Sequence, residues 1–276
     1  MGINRRDFIS AAAAASALVL TGCQTPITSK QDTIAMANSS TAVPNYQGPR
    51  TRRVLHVVTN VSHYDDVSHP TGLWLSELTH AYDAFAAQGY SQSVVSPLGG
   101  VVPIEPRSLK WPYFDKSARE GKENPVIQSL LANSLRPQDV NAQDFDIIYF
   151  AGGHGVMWDF PNSAGLQTIT RDIFERGGIV AAVCHGYCGL LNTKLSNGSL
   201  LVEGRRLTGY SWIEEVLAGV AKEVPYNVEE EMRKRGALYE KAFIPFTSKV
   251  VIDGRLVTGQ NPQSAKAVAD AVVGLL

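Results

Sequence analysis

The chain lacks most of the features that settle a protein's class at a glance. It has only three cysteines in 276 residues, at positions 23, 184 and 188, so no disulfide framework can be read from it. A core must come from ordinary apolar burial, for which the length suffices. An excess of one charge is also missing. The net charge is −1, which gives no reason to expect a nucleic-acid partner. No internal repeat is visible, and the apolar run from Ala11 to Leu20 is too short for an ordinary membrane span. The length suits one large domain or two small ones.

What is present begins with export signals. Asn4-Arg5-Arg6-Asp7-Phe8-Ile9 is a twin-arginine pattern, and the apolar run after it leads to Leu20-Thr21-Gly22-Cys23. A charged start, a short apolar region and small residues at a cut describe a signal peptide. The last four residues resemble a bacterial lipobox, which implies cleavage before Cys23, lipid on its sulfur and attachment to a membrane in the cell envelope. Residues 1–22 are thus expected to be a signal peptide. Residues 23–50 are rich in Thr, Ser, Asn, Gln and Pro without an apolar period and read as a flexible tether. Residues 51–276 are left as the folded domain.

Within that domain, strands and helices alternate. Arg53–Asn60 reads as a strand from its β-branched run. The following loop carries His63, Asp65, Asp66 and His69, whose spacing fits no common metal site. Leu75, Leu78, Tyr82 and Phe85 fall on one helical stripe between Leu73 and Phe85, with Glu77 early in that helix. Further strands are expected at Ser93–Ser96 and Phe145–Phe150, and helices at Pro125–Leu135, Leu166–Arg176, Val228–Arg235 and Ser264–Leu276. Ser211 is placed to cap a helix bearing Glu214 and Glu215. Hairpins are expected at Leu200–Thr208 and, turning on Asp253-Gly254, at Lys249–Gly259. Residues 103–124 show no period and read as an irregular insertion, either a lid or binding loop or a passive excursion. The pattern gives an α/β fold: a three-layer α/β/α sandwich with a mainly parallel sheet and reactive loops at the strand C-termini.

The stretch around which this domain is organised is Gly178-Ile179-Val180-Ala181-Ala182-Val183-Cys184-His185-Gly186. It reads as an apolar strand running into a Cys-His-Gly corner, the construction of a nucleophile elbow, with a helix expected to begin near Tyr187. A buried cysteine acting as a small hydrophobe is the alternative. The Phe145 strand ends in Ala151-Gly152-Gly153-His154-Gly155. Its spacing is neither a Rossmann fingerprint nor a P-loop, but turned toward a thiol its N–H groups would serve as an oxyanion hole.

Four stretches taken together resemble the ThiJ/PfpI superfamily, which has a flavodoxin-like, class I glutamine amidotransferase-like fold. They are Gly72-Leu73-Trp74-Leu75-Ser76-Glu77, Ala151-Gly152-Gly153-His154-Gly155, Ala182-Val183-Cys184-His185-Gly186 and Thr258-Gly259-Gln260-Asn261-Pro262. The insertion after Gly100 and Leu207-Thr208-Gly209-Tyr210-Ser211 point to the chaperone and glyoxalase III branch. The last histidine is His185, so the downstream catalytic histidine of true amidotransferases is missing.

The resemblance implies Cys184 as nucleophile and His185 as general acid/base. Glu215 would orient His185, with Glu214 as fallback. Glu77 would meet the cysteine sulfur and tune it, and Gly153 with the His185 N–H would form the oxyanion hole. A helix N-terminus would lower the thiol pKa. No cofactor, metal or glutathione is called for. The implied activity is conversion of methylglyoxal or a related 2-oxoaldehyde to a hydroxy acid, in detoxification or protein quality control. A Cys-His hydrolase or amidase of the same fold, and a holdase or redox sensor, remain open. The expected partners are a small carbonyl substrate, a membrane through the lipid anchor, and a second copy in a homodimer. Cys188, one turn further on, is expected to be a buried core thiol.

Overall fold

The structure is a computed structural model and describes residues 51–276. The expected signal peptide, Cys23 and the expected tether lie outside the described residues. In chain order the first half contains β1 (Arg53–Val57), α1 (Leu75–Ala87), β2 (Ser91–Val95), α2 (Lys116–Glu123), α3 (Pro125–Ala132), β3 (Ile147–Phe150), α4 (Val156–Asp159) and α5 (Ala164–Glu175). The second half contains β4 (Ile179–Val183), β5 (Arg206–Leu207), α6 (Trp212–Leu217), α7 (Val228–Lys234), β6 (Leu238–Tyr239), β7 (Val250–Asp253), β8 (Leu256–Gly259) and α8 (Ala265–Gly274).

Six strands form the main sheet in the order β2-β1-β3-β4-β8-β7. All neighbours are parallel except the hairpin pair β7 and β8. Strands buried on both faces read as continuous apolar runs rather than alternating ones, and β3 and β4 are buried at every position. Their side chains divide by parity. Ile147, Tyr149, Ile179 and Ala181 pack with Leu78 and Phe85 of α1 and with Val268 and Val272 of α8. Ile148, Phe150, Val180 and Ala182 pack on the other face with Leu166, Ile169 and Ile173 of α5. Each such large side chain contributes about 1.5–3 kcal/mol by leaving water. The three-layer sandwich expected from the sequence is therefore observed.

Parallel pairing brings the C-terminal ends of β1, β3, β4 and β8 to one edge. Phe150 pairs with Ala182, and Val183 with Gly259. The glycine loop, the cysteine corner and the Gln260-Asn261-Pro262 stretch all leave the sheet there.

Two expectations are corrected. The insertion is not irregular throughout. Lys116–Glu123 is helical, started by Asp115, whose Oδ1 accepts from the Ala118 N–H at 3.0 Å. The helix buries only Ala118 and Gly121, so it leaves no apolar stripe to read. The Leu200–Thr208 segment is not a hairpin. Arg206–Leu207 pairs in parallel with Leu238–Tyr239 in a separate two-stranded sheet, while Leu201 and Val202 turn into the core. Among the described residues no helix is long and apolar enough to cross a membrane.

Candidate active site

β4 runs without interruption into Cys184, whose φ is +55°. A non-glycine residue in the left-handed region costs on the order of 1–3 kcal/mol and persists only where its surroundings impose it. Here the buried strand fixes one side of the bend. On the other side, a Cβ at Gly186 would sit 2.3 Å from the Phe150 carbonyl oxygen, so only glycine lets the chain turn so close under β3. Cys184–Leu190 then forms a 3₁₀ helix, beginning three residues before the Tyr187 start expected from the sequence.

The bend places two adjacent side chains in one site. Cys184 Sγ lies 3.3 Å from His185 Nδ1. His185 Nε2 lies 2.7 Å from Glu215 Oε2, and His154 Nε2 lies 2.7 Å from Glu215 Oε1. Arg107 Nη2 is 2.9 Å from His154 Nδ1. These contacts assign the protons. A guanidinium has no acceptor, so His154 Nδ1 must offer its lone pair and Nε2–H donates to Glu215. Burial acts to raise the Glu215 pKa, but the imidazoles of His185 and His154 outweigh it and hold the carboxyl well below its usual range. Ionised Glu215 accepts from both rings. His185 therefore carries its proton on Nε2 and turns a free Nδ1 toward the thiol, which can donate its proton there.

Glu215, not Glu214, is hydrogen-bonded to His185. Glu214 Oε2 accepts from Ser211 in the cap of α6, and its Oε1 accepts from the Phe246 N–H at 2.7 Å. Arg107 itself is held by Glu105, whose carboxylate also accepts from Thr71. His154 and Arg107 were not among the sequence candidates. His154, His185 and Glu215 offer donor atoms within 4.8 Å of one another, a set that zinc or iron accepts. In the geometry seen here both nitrogens sit at direct hydrogen-bonding distance from the carboxylate, and a metal would have to displace both bonds.

Glu77 is fully buried, where the residue pattern alone suggests a surface charge. Its Oε2 accepts from the Gly152 N–H at 2.6 Å. Among the described residues its Oε1 makes no hydrogen bond to nitrogen or oxygen, and the carboxyl also contacts the Cys184 thiol. Burial raises the Glu77 pKa to about 8, against the Gly152 N–H and the cysteine contact, which lower it. Burial, and after it the Glu77 carboxyl, also pushes the Cys184 thiol up, while the His185 backbone N–H pulls the other way. The expectation of a thiol acidified by a helix N-terminus is thus corrected. The desolvated site holds a neutral thiol and a protonated Glu77.

A measurable consequence follows from the sign of the Glu77 shift. Folded Glu77 keeps its proton to about pH 8, whereas the unfolded chain loses it near 4.5, so stability supplied by this proton is full below 4.5 and is lost as pH rises to 8. Glu77→Gln removes the effect. Urea melts of both proteins should show the variant gaining on wild type by about 1.4 kcal/mol per pH unit across that window, with a flat difference above it. A difference that is level from pH 4.5 to 8 would refute the buried protonated carboxyl.

The cavity over Cys184 measures about 30 Å³, space for the centres of about two waters. Trp74, Tyr113, Tyr210 and Phe246 wall it, with Gly153, His154 and His185 at its base. Gly153 has φ +108° and passes so close to Gly72 that a Cβ would lie 2.0 Å from its carbonyl oxygen. Gly153 and His185 line the same cavity as Cys184. Tyr113 brings the insertion into the site as a wall, while Trp111 beside it is exposed.

The other candidates lie elsewhere. Cys188 is buried on the opposite face of the sheet, and burial pushes its thiol up. The side chains of the His63 loop are bonded away from the Cys184 site. Asp66 accepts from Ser68, Asp65 from the Trp158 indole, and His69 pairs with Glu223.

The DJ-1/PfpI family pattern matches residues 70–275. The chain belongs to the DJ-1/PfpI family. It is 34% identical to the "glutathione-independent glyoxalase HSP31" of Saccharomyces cerevisiae over 79% of this chain and 95% of that protein. Two solved structures superpose closely. The Rapid Encystment Protein of 24 kDa from Francisella tularensis has a TM-score of 0.78 at 36% identity, over 82% of this chain and 99% of that one. Glyoxalase III from Candida albicans has a TM-score of 0.76 at 30% identity, over 82% and 97%. The chain thus spans nearly the full length of each relative.

Proposed function

We propose that this protein is a glutathione-independent glyoxalase that converts short 2-oxoaldehydes such as methylglyoxal to 2-hydroxy acids. The observation that carries this reading is the proton path from Cys184 Sγ through His185 Nδ1 to an ionised Glu215 at the base of a small cavity. The relatives named as glyoxalases support it.

In this reading Cys184 attacks the aldehyde carbon, the thiol proton passes to His185, and the oxygen is received by the N–H groups of Gly153 and His185. The product is a hemithioacetal. His185 then carries the C1 proton to C2 through an enediol, which leaves a thioester on Cys184. Water hydrolyses the thioester and frees the thiol. Glu215 keeps His185 in the tautomer with Nδ1 open. Neutral Glu77 places no charge against the sulfur.

The test is to incubate the purified protein with methylglyoxal, without glutathione and with a chelator present, and to assay lactate. Steady lactate formation is expected. Its absence, with ammonia released from an amide panel, would replace the reading by an amidase. Absence of any turnover, with client aggregation still suppressed, would replace it by a holdase.

The proposal extends to location. The Asn4–Ile9 pattern and Leu20–Cys23 support export by the twin-arginine route and lipid attachment at Cys23. Replacing Arg5 and Arg6 by lysine should retain the protein in the cytoplasm, and Cys23→Ser should release it from membranes in fractionation. Unchanged fractionation of both variants would oppose this.

A further inference from the structure

Three buried polar side chains take no part in the chemistry above. Glu214, Gln260 and Asn261 have no exposed surface, and all three reach one surface segment, residues 242–249. The Ala242 N–H donates to Gln260 Oε1 at 2.7 Å, and the Phe246 N–H donates to Glu214 Oε1 at 2.7 Å. Asn261 Nδ2 donates to the Thr247 carbonyl at 2.8 Å and to Glu214 Oε1 at 2.9 Å. The Lys249 N–H donates to Ser264 Oγ at 3.1 Å. The strap has little core of its own, since Phe243 and Ile244 face solvent. A segment with so few apolar contacts is ordinarily loose, yet this one is tied to buried groups at residues 242, 246, 247 and 249.

These ties carry a local cost. Gln260 Nε2 is buried without a partner among the described residues, which costs roughly 1–3 kcal/mol. Phe246 is held at φ +62°, and Cys184 is the only other described non-glycine residue with positive φ. Imposed backbone strain of this kind points to a function. The result of the strain is visible. Phe246 is turned onto the wall of the Cys184 cavity, with its ring centroid 6.5 Å from that of Tyr210.

We propose that Phe246, fixed by Glu214, Gln260 and Asn261, is the size filter of the site: it admits 2-oxoaldehydes with a hydrogen or methyl substituent and excludes those with an aryl substituent. The substrate named here rests on the glyoxalase reading; the filter itself concerns access to Cys184. Glu214, Gln260 and Asn261 are positioning residues that act through the strap. The Thr258–Pro262 stretch thereby has a role, as the inner anchor of the wall rather than as a source of reacting groups.

Two readouts test it, one independent of turnover. The first is the ratio of alkylation rates at Cys184 by N-phenylmaleimide and by iodoacetamide, read by mass spectrometry of the Cys184 peptide. The second is the ratio of kcat/KM for phenylglyoxal and methylglyoxal. Phe246→Gly relieves the positive φ, so it should fold, and it should raise both ratios about tenfold or more, the scale of pocket-size discrimination. Asn261→Ala, which keeps the Phe246 side chain but removes the bonds to the Thr247 carbonyl and to Glu214, should move both ratios the same way by a smaller factor. Ratios within about twofold of wild type in a folded Phe246→Gly protein would overturn the filter. If wild type turns over neither oxoaldehyde but the alkylation ratio still rises in the variant, the glyoxalase reading fails and the filter stands.

Discussion

Cys184→Ala should abolish methylglyoxal turnover, with a fall in kcat/KM on the order of 10⁴-fold or more, since losing the nucleophile of a coupled unit removes nearly all of its effect. The fold should survive. Alanine keeps the φ of +55° at a similar strain, and loss of one buried sulfur costs on the order of 1 kcal/mol. Melting temperature and activity should therefore separate cleanly. Cys188→Ala serves as the control. Its thiol lies in the core across the sheet, and turnover should be preserved within about twofold. A Cys184→Ala protein that keeps a tenth of wild-type turnover would remove the cysteine from the mechanism.

Glu215→Gln should cost about 10³-fold or more in kcat/KM, the scale seen when an orienting carboxylate becomes an amide, and the geometry says why. The carboxylate accepts two N–H bonds, from His154 and from His185. An amide can accept at only one of these positions. Arg107 donates to His154 Nδ1 and so pins the proton of His154 on Nε2. The amide oxygen must then face His154, and the NH₂ faces His185. His185 answers by moving its proton to Nδ1, where it blocks acceptance of the thiol proton. Imidazole ¹⁵N shifts should show His185 changing tautomer and His154 not. Both rings unchanged, with activity near wild type, would contradict the assignment. Burial and the neighbouring His185 push His154 down to about 4, so it stays a neutral donor over the working range and does not compete for the proton.

The residues legible in the sequence are those whose partners lie near in the chain or are announced by a motif. The run Ile179–Val183 ending at Cys184-His185-Gly186 gives both the central strand and the nucleophile. The alternation of strands and helices gives the sandwich, because parallel strands covered on both faces need apolar runs. Glu77 is legible only through the family resemblance, since nothing in Leu73–Phe85 distinguishes a buried glutamate from a surface one. His154 stands inside the glycine loop after β3, where the sequence points only to backbone N–H groups. A histidine following β3, next to the elbow strand, is the signal that could have found it. Arg107, Glu105 and Tyr64 were invisible for another reason. They come from the insertion and from a polar loop, and meet His154 only through the tertiary path. Phe246 carries no local mark at all, since its left-handed backbone is imposed by Glu214 and Asn261 from other elements. The Leu200–Thr208 segment misled because its pairing partner lies some thirty residues away, at Leu238–Tyr239.

In the proposed conversion Cys184 carries the substrate covalently. The direct measurement is rapid-quench mass spectrometry of wild-type protein turning over methylglyoxal, with peptide mapping and hydroxylamine treatment. The expected result is an adduct on the Cys184 peptide within the first turnover, absent from Cys188 and removed by hydroxylamine as a thioester. Lactate released at the full steady rate with the Cys184 peptide unmodified at every quench time would contradict it.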